Sequence, residues 1–141
     1  MTSKSSPTIL SLMLAVPDTP VAIEWYKKAF RLKVLWSLGS VAGLEIENAP
    51  IFLHEPVKNN FSSPLELGTT TARIELFVDN PDEIIKHALE AGAKGSLDDI
   101  QDYQMPWGIH RQGGFTDPFG HRWLVGDKSP LNTSPPSDAK E

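Results

Sequence analysis

Cysteine is absent from this chain of 141 residues. That absence excludes disulfide bonds, thiolate metal ligands and cysteine nucleophiles together. Positive charge is also scarce, because 13 Lys and Arg stand against 18 Asp and Glu, for a formal net charge of −5. Binding to a phosphate backbone needs a basic face, so the composition argues against nucleic acid as a partner and leaves cationic ligands open.

Long apolar runs are missing as well. No run approaches the roughly 18 residues that would span a bilayer, and the opening stretch MTSKSSP is polar and unlike a signal peptide. We therefore expect no membrane partner, and we expect a cytoplasmic protein because zero cysteine suits a reducing compartment. The apolar fraction of 40% and the four tryptophans indicate a folded domain of ordinary size.

Several catalytic motifs are absent too. The chain shows no Ser-His-Asp ordering with a nucleophile elbow. Gly113-Gly114 is a lone pair without the spacing of a phosphate-binding loop. Asp98 and Asp99 are adjacent, so in a strand their carboxylates would point apart, which is unsuited to acid–base pairing.

One pattern occurs twice. Residues 11–30 (SLMLAVPDTPVAIEWYKKAF) and 73–92 (RIELFVDNPDEIIKHALEAG) each read as an alternating apolar strand, a turn and a helix, at an offset of 62 positions (73 minus 11). A stable solenoid needs about three or more repeats. Two copies therefore indicate a domain of two similar halves, with a cleft where the halves meet.

Turn and capping residues divide the chain into elements. Helices are predicted after Asp18 or Thr19 and after Asn80. Residues 105–114 are predicted to be a glycine-rich loop, and Asp117-Pro118-Phe119-Gly120 a turn. The predicted strands lie at 8–16, 33–38, 43–46, 49–54, 70–78 and 121–126, with one more within 95–104.

The expected organisation is one folded domain between two disordered ends. Residues 1–7 and 129–141 are Ser-rich or Pro-rich and have little apolar surface to bury. The remaining chain, 8–128, is the predicted domain. Its predicted parts are a first half at about 8–56, a linker at 57–69 and a second half at about 70–128.

Four stretches carry a family resemblance: AIEWYKKAF (22–30), HALEAGAKG (87–95), MPWGIHRQGGFTDPFGHRWLV (105–125), and the strand that opens each half. They are similar to the vicinal oxygen chelate superfamily (glyoxalases, bleomycin-resistance proteins and extradiol dioxygenases), and they look most like its PhnB-like branch. The resemblance implies an α+β fold in which two tandem βαβββ modules form a curled mixed sheet around a cleft. Arg31 departs from the family, which usually has Gly there; this affects a turn.

Strand alternation assigns side chains to the inside of that implied cleft. Ile74, Leu76 and Val78 are apolar and should pack on the helices, so Arg73 and Glu75 should point inward, near Arg122, and be paired with each other, a neighbour or a ligand. Trp107 is expected to be either a lid or a core anchor. The predicted ligand-binding residues are Ser11, Met13, Trp36, Glu47, Phe52, His54, Arg73, Glu75, Phe77, Trp107, Arg122 and Leu124.

The resemblance also implies where a metal would bind. Metal-dependent relatives use four inward positions, which match Ser11, Phe52, Arg73 and Leu124 in this chain. None of these is a usual ligand for a divalent cation, so we expect neither a metal nor another cofactor. A relocated site built from His54, Glu75 and Glu47 remains an alternative.

The leading hypothesis is a metal-free small-molecule binding protein of the bleomycin-resistance type, which holds an aromatic or cationic ligand in the cleft. One alternative is a metal-dependent lyase, isomerase or dioxygenase of the same superfamily. Another is a structural dimer with a vestigial cleft. The resemblance implies a homodimer, since small curled sheets leave open edges that need covering.

Overall fold

The structure, a computed structural model, describes residues 6–131. Residues 1–5 and 132–141, which make up most of the two ends predicted to be disordered, lie outside the described residues. Ser129–Leu131, also assigned to the disordered tail, instead form a 3₁₀ turn. In the described part of the chain, no helix is both long and apolar enough to cross a bilayer.

The elements form two modules with the same order of strands and helix. The first contains β1 (Leu12–Ala15), α1 (Thr19–Phe30), β2 (Lys33–Ser37), β3 (Val41–Ile46) and β4 (Ala49–His54). A short helix, α2 (Pro64–Leu67), lies in the connection. The second contains β5 (Arg73–Phe77), α3 (Pro81–Glu90), a 3₁₀ turn (Leu97–Asp99), β6 (Gln101–Met105), β7 (Gly108–Thr116) and β8 (Arg122–Gly126).

The two sheets have equivalent topologies. Their strand orders are β1-β4-β3-β2 and β5-β8-β7-β6. The pairs β1/β4 and β5/β8 are parallel, and the other neighbours are antiparallel. The predicted α+β fold of two tandem βαβββ modules is confirmed, as two four-stranded sheets.

The predicted caps account for where the main helices begin. Asp18, rather than Thr19, caps α1 and accepts a hydrogen bond from the Val21 amide at 3.1 Å. Asn80 caps α3 and accepts from the Glu83 amide at 3.2 Å. Each cap satisfies an amide that would otherwise lack a partner in the first helical turn.

Aromatic side chains join the two modules, because α1 of the first module packs on the sheet of the second. Trp25, Tyr26 and Phe30 on α1 pack against Phe115 and Trp123 of the second sheet, with the Phe30 and Trp123 ring centroids 4.6 Å apart. The Trp25 indole also donates to the carbonyl of Ala91, just after α3, at 2.8 Å. The hydrophobic core therefore lies between the helices and the two sheets, and the opposite face of each sheet stays open.

A buried carboxylate, Asp117, organises the turn before β8. One of its oxygens accepts from the amides of Phe119 and His121, both at 2.9 Å. The other accepts from the Trp123 indole at 2.9 Å and from the Tyr26 hydroxyl. Burial raises the pKa of Tyr26 well above its ordinary value, and the neighbouring Asp117 carboxylate raises it further, so this hydroxyl remains a donor.

The linker docks on the same turn. Ser63 is buried and caps α2, and the Leu65 amide donates to the Phe119 carbonyl at 3.1 Å. A Cβ added to Gly120 would lie 2.7 Å from the Leu65 nitrogen and 2.9 Å from the Pro64 Cβ. Glycine at this position therefore permits the linker to approach the turn closely.

The predicted loop at 105–114 is wrong. These residues form the β6–β7 hairpin and most of β7. Gly113 lies inside strand β7. A side chain larger than hydrogen would not fit there, because a Cβ would lie 2.8 Å from both the Ile85 and the Ile100 side chains. Gly113, which contributed to the loop prediction, instead permits close packing of α3 and of Ile100 on the sheet.

We predict that Tyr26→Phe lowers the free energy of unfolding by about 1.5–3 kcal/mol, the usual worth of a hydrogen bond to a charged group. The loss leaves the buried Asp117 carboxylate without one of its donors. Urea unfolding would measure it. Tyr103→Phe, on the exposed strand β6, is the matched control and should change stability by less than about 0.5 kcal/mol. Equal effects of the two substitutions would contradict the prediction.

Candidate functional site

A row of side-chain positions crosses the first sheet on the face away from α1. Met13 pairs with Phe52, Phe52 with Gly43, and Gly43 with Trp36. The intervening residues of β3 and β4, such as Leu44 and Leu53, are buried on the other face. We call Met13, Phe52, Gly43 and Trp36 the aromatic row.

Glycine in the middle of the row sets the position of the indole. A Cβ at Gly43 would lie 2.8 Å from both Cε2 and Nε1 of Trp36, which is too close for any real side chain. The Trp36 and Phe52 ring centroids are 6.0 Å apart, with the planes tilted by 38°. The indole thus rests over the sheet beside a second aromatic ring.

The row is accessible from solvent. Trp36 is 41% exposed and Met13 is 54% exposed, while Phe52 is half-buried. Aromatic rings offer negatively polarised faces to cations and stacking surface to planar ligands. The arrangement can therefore bind an apolar, aromatic or cationic molecule without any covalent chemistry.

His54 continues the same face of β4, two residues beyond Phe52. Its Nδ1 lies 2.6 Å from the Glu55 carbonyl oxygen, so Nδ1 carries the proton and donates. Its ring meets Phe61 edge-on, with centroids 5.4 Å apart. These contacts fix the ring orientation and leave Nε2 as the group available to a ligand.

The second sheet brings five of the predicted residues onto one face. Arg73 pairs with Arg122, and Glu75 pairs with Leu124, so these four side chains form two adjacent rows, with Phe77 further along β5. The alternate residues Ile74 and Val78 are buried in the core, and Leu76 packs against it. The predicted strand register is therefore right.

The prediction that Arg73 and Glu75 are enclosed in a cleft, near Arg122 and paired, is wrong. Arg73, Glu75 and Arg122 are all exposed. Within residues 6–131, no ion pair joins any of them to another side chain. The physical reason is that the sheet face away from the helices is open in a single chain, so water can solvate these charges.

Three of the predicted ligand-binding residues lie together at the seam between the two modules. A cavity of about 330 Å³ lies between the edge strands β1 and β5 and is lined by Ser11, Arg73 and Glu75, among others. Ser11 thus lies near Arg73 and Glu75 of the second module. It directly precedes β1, the strand that contributes Met13 to the aromatic row.

Two predicted residues lie apart from these groups. Glu47 is exposed in the β3–β4 turn, with a left-handed φ of 55°. Trp107 lies at the tip of the β6–β7 hairpin, is 40% exposed, and donates from Nε1 to the Ser129 hydroxyl at 3.0 Å. Trp107 is therefore not a core anchor, and its indole holds the C-terminal 3₁₀ turn.

His110 was missed because its segment was assigned to a loop. It lies on β7, buried, with Nδ1 2.7 Å from an Asp127 oxygen and Nε2 2.9 Å from the Gln112 side-chain oxygen. The alternation of the polar His110 and Gln112 with the apolar Ile109 and Phe115 was the available indication of a strand.

The hydrogen bonds around His110 and Asp127 have a structural role, because they join β7 to the segment that follows β8. Burial alone would raise the pKa of Asp127, but hydrogen bonds from the Arg111 amide, Ser129 and His110 outweigh burial and hold the pKa well below its usual value. The Ser129 hydroxyl lies 3.2 Å from the same His110 nitrogen that meets Asp127. A catalytic relay needs the two ring nitrogens to serve different partners, so these residues do not form a Ser-His-Asp triad.

The residues at the implied metal positions do not fit a divalent cation. Ser11, Phe52, Arg73 and Leu124 offer a hydroxyl, a phenyl ring, a guanidinium and an alkyl group, in place of carboxylates and imidazoles. Across residues 6–131, no three His, Asp or Glu side chains come together in a way that could hold a metal ion. The relocated site of His54, Glu75 and Glu47 is therefore wrong.

Comparison with known proteins identifies the family. Residues 8–125 match the family model described as the glyoxalase/bleomycin resistance protein/dioxygenase superfamily. The chain belongs to this superfamily. An uncharacterised protein from Mycobacterium bovis is 34% identical over 130 residues, covering 83% of this chain and 81% of that protein.

Solved structures share the fold. TioX from Micromonospora sp. ML1 superposes with a TM-score of 0.63 at 22% identity, covering 86% of this chain and 98% of TioX. A variant of the fosfomycin resistance protein FosX from Listeria monocytogenes, in complex with Mn(II) and 1S,2S-dihydroxypropylphosphonic acid, has a TM-score of 0.59 at 18% identity and covers 89% of this chain and 90% of FosX. At these identities the likeness extends to the fold alone.

We predict that protein purified without chelators carries well under one equivalent of Zn, Ni, Mn or Fe, because the four implied positions lack suitable donors. Elemental analysis by mass spectrometry would measure the content. Adding each metal to the purified chain should also leave its melting temperature unchanged, since a ligand that binds only the folded state raises it. One equivalent of bound metal that survives dialysis would contradict the prediction.

Proposed function

We propose that this member of the superfamily is a metal-free small-molecule binding protein of the bleomycin-resistance type, which holds an aromatic or cationic ligand. The observation that supports the proposal is the aromatic row, in which the Trp36 indole rests over Gly43 beside Phe52. A pair of rings, one exposed and one half-buried, provides stacking surface at low entropic cost, because the sheet already fixes its geometry.

The side chains along the row favour binding over catalysis. Met13, Phe52 and Trp36 supply a thioether and two aromatic rings, none of which transfers a proton or attacks a substrate. His54, the titratable side chain next to Phe52 on this face of β4, has its ring held by Glu55 and Phe61. A metal-dependent lyase or dioxygenase would require a donor set that the implied positions lack.

A cleft that is too small, or that is plugged by pairing of Arg73 with Glu75, would favour the alternative of a structural dimer with a vestigial cleft. Among the described residues, these two side chains form no ion pair with each other, and the seam beside them holds a cavity of about 330 Å³. Space for a small molecule is therefore present, which supports a binding role over a purely structural one.

Two finer assignments belong to the same proposal. The PhnB-like branch is favoured by AIEWYKKAF (22–30) and by the DPFG turn with its preceding Trp-Gly. A cytoplasmic location is favoured by the absence of cysteine, which suits a reducing compartment.

We predict that Trp36→Ala weakens binding of ethidium, a planar aromatic cation, by about tenfold or more, which is the scale of one stacking or cation–π contact. Trp107→Ala is the matched control, because Trp107 is 40% exposed against 41% for Trp36 but lies on the β6–β7 turn. Isothermal titration calorimetry would measure both affinities.

Two outcomes would contradict the binding proposal. One is ethidium affinity that Trp36→Ala and Trp107→Ala change equally. The other is an absence of binding by ethidium and by the uncharged ring system phenanthridine alike. Phenanthridine binding without ethidium binding would retain the aromatic ligand and reject the cationic one.

We also propose that the chain forms a homodimer, in which a second copy covers open edges of the sheets. Strand β2 is an edge strand exposed along its whole length, and β6 at the other outer edge is nearly so. Large apolar side chains around these strands are exposed, including Leu35, Leu38 and Ile109. Unpaired edges beside exposed apolar side chains favour association.

Sedimentation equilibrium at micromolar concentration should accordingly give twice the chain mass of 15.6 kDa. Leu35→Glu should shift the equilibrium toward the single chain, because a charge in an apolar interface must be desolvated. The control is Leu65→Glu, at an exposed leucine on α2, away from both outer edges. A single-chain mass for the unmodified protein would reject the dimer.

A further inference from the structure

Two cavities of different character share a wall near the linker. A polar cavity of about 590 Å³ is lined by Arg73, Arg122, Thr116 and the threonines of residues 69–71. A second cavity, of about 500 Å³, is lined largely by apolar side chains, among them Leu12, Met13, Phe61 and Leu67. Pro64 and residues 69–73 line both, so the two cavities are adjacent.

The polar cavity concentrates positive charge. Arg73 and Arg122 are direct partners across the parallel β5/β8 pair, and Thr116 is the partner of Arg122 on β7. Paired residues point to the same face, so the two arginine side chains leave the sheet from adjacent positions on one face. Like charges placed directly opposite each other are unfavourable, and no carboxylate within residues 6–131 forms an ion pair with either arginine.

An oxyanion between the arginines would remove this repulsion. Guanidinium groups match carboxylate and phosphate oxygens with two parallel hydrogen bonds, and hydroxyl groups can donate to the remaining oxygens. The threonines that line the cavity supply such hydroxyls. The chemistry of the polar cavity therefore selects an anionic head group.

The adjoining cavity calls for an apolar body on the same ligand. Leu12, Met13 and Leu67 line it and are 41%, 54% and 64% exposed, so their hydrocarbon surface faces solvent in this chain. Covering that surface would be favourable, because it removes apolar area from water. Arg73 lines both cavities and marks the boundary between the polar and the apolar half.

We propose that the two cavities form one binding site for a small amphiphilic anion, with a phosphate or carboxylate head group between Arg73 and Arg122 and a hydrocarbon body against Leu12, Met13 and Leu67. This site is distinct from the aromatic row, although Met13 contributes to both. It lies at the junction of the modules, where the linker crosses between β1 and β5.

Calorimetric titration of the full chain with octyl phosphate, below its micelle concentration, tests the site. We expect one equivalent to bind. Arg73→Gln and Arg122→Gln should each weaken binding about tenfold, the scale of one charge-assisted contact. Arg31→Gln is the matched control: it removes the same charge from an exposed arginine that bonds His87, outside both cavities, and should leave the affinity unchanged.

Inorganic phosphate and octanol, titrated separately, test the two halves of the ligand. Each should bind at least tenfold more weakly than octyl phosphate. Leu67→Asn, at an exposed position, should weaken octyl phosphate without changing the affinity for inorganic phosphate. Melting curves identify any variant that fails to fold, and either arginine variant alone suffices for the test.

The site is rejected if octyl phosphate does not bind, or if both arginine variants bind it like the parent protein. The amphiphilic class is rejected if inorganic phosphate binds as tightly as octyl phosphate with the same dependence on arginine. Trp36→Ala should retain octyl phosphate binding, so failure of this site and failure of the ethidium site are separately visible.

Discussion

The rest of the structure depends on the hydrogen bonds that the buried carboxylate of Asp117 accepts. It is an anion inside the core, and its burial is tolerable only because donors surround it. The amides of Phe119 and His121 belong to its own turn, Trp123 to the following strand, and Tyr26 to the helix of the other module. One side chain thereby fixes the turn, orients β8 and attaches the first module to the second.

The position of the candidate surfaces follows from this attachment. His121, held by Asp117, reaches the carbonyl oxygen of Ala15 at the end of β1 at 2.8 Å. Gly120 in the same turn receives the linker. Because β1 and the linker are both tied to one turn, the edge strands β1 and β5 meet at a defined seam, and the cavities beside Arg73 have fixed walls.

Local features of the sequence were sufficient for the elements and for their faces. Alternation placed Ile74 and Val78 in the core and Arg73 and Glu75 on the other face, and capping chemistry located both main helices. These predictions succeed because a strand or a cap depends on residues within a few positions. Gly113 was misleading because its neighbours Ile85 and Ile100 come from elsewhere in the chain.

The environment of the charged face was beyond the reach of sequence reasoning. Alternation states which side chains share a face, but not whether anything covers that face. Arg73 and Glu75 therefore occupy the predicted side of β5 and yet stay exposed. The role of His110 was hidden for a related reason, since its partner Asp127 lies 17 positions away.

Gly43 gives the aromatic row an unusual mutational behaviour. Even a methyl group at this position would displace the Trp36 indole, which lies on the opposite face of β3 from the buried Ala42 and Leu44. A single substitution therefore separates the present arrangement of rings from a differently shaped surface. The shape of this surface thus depends on a residue that itself contributes no side chain to it.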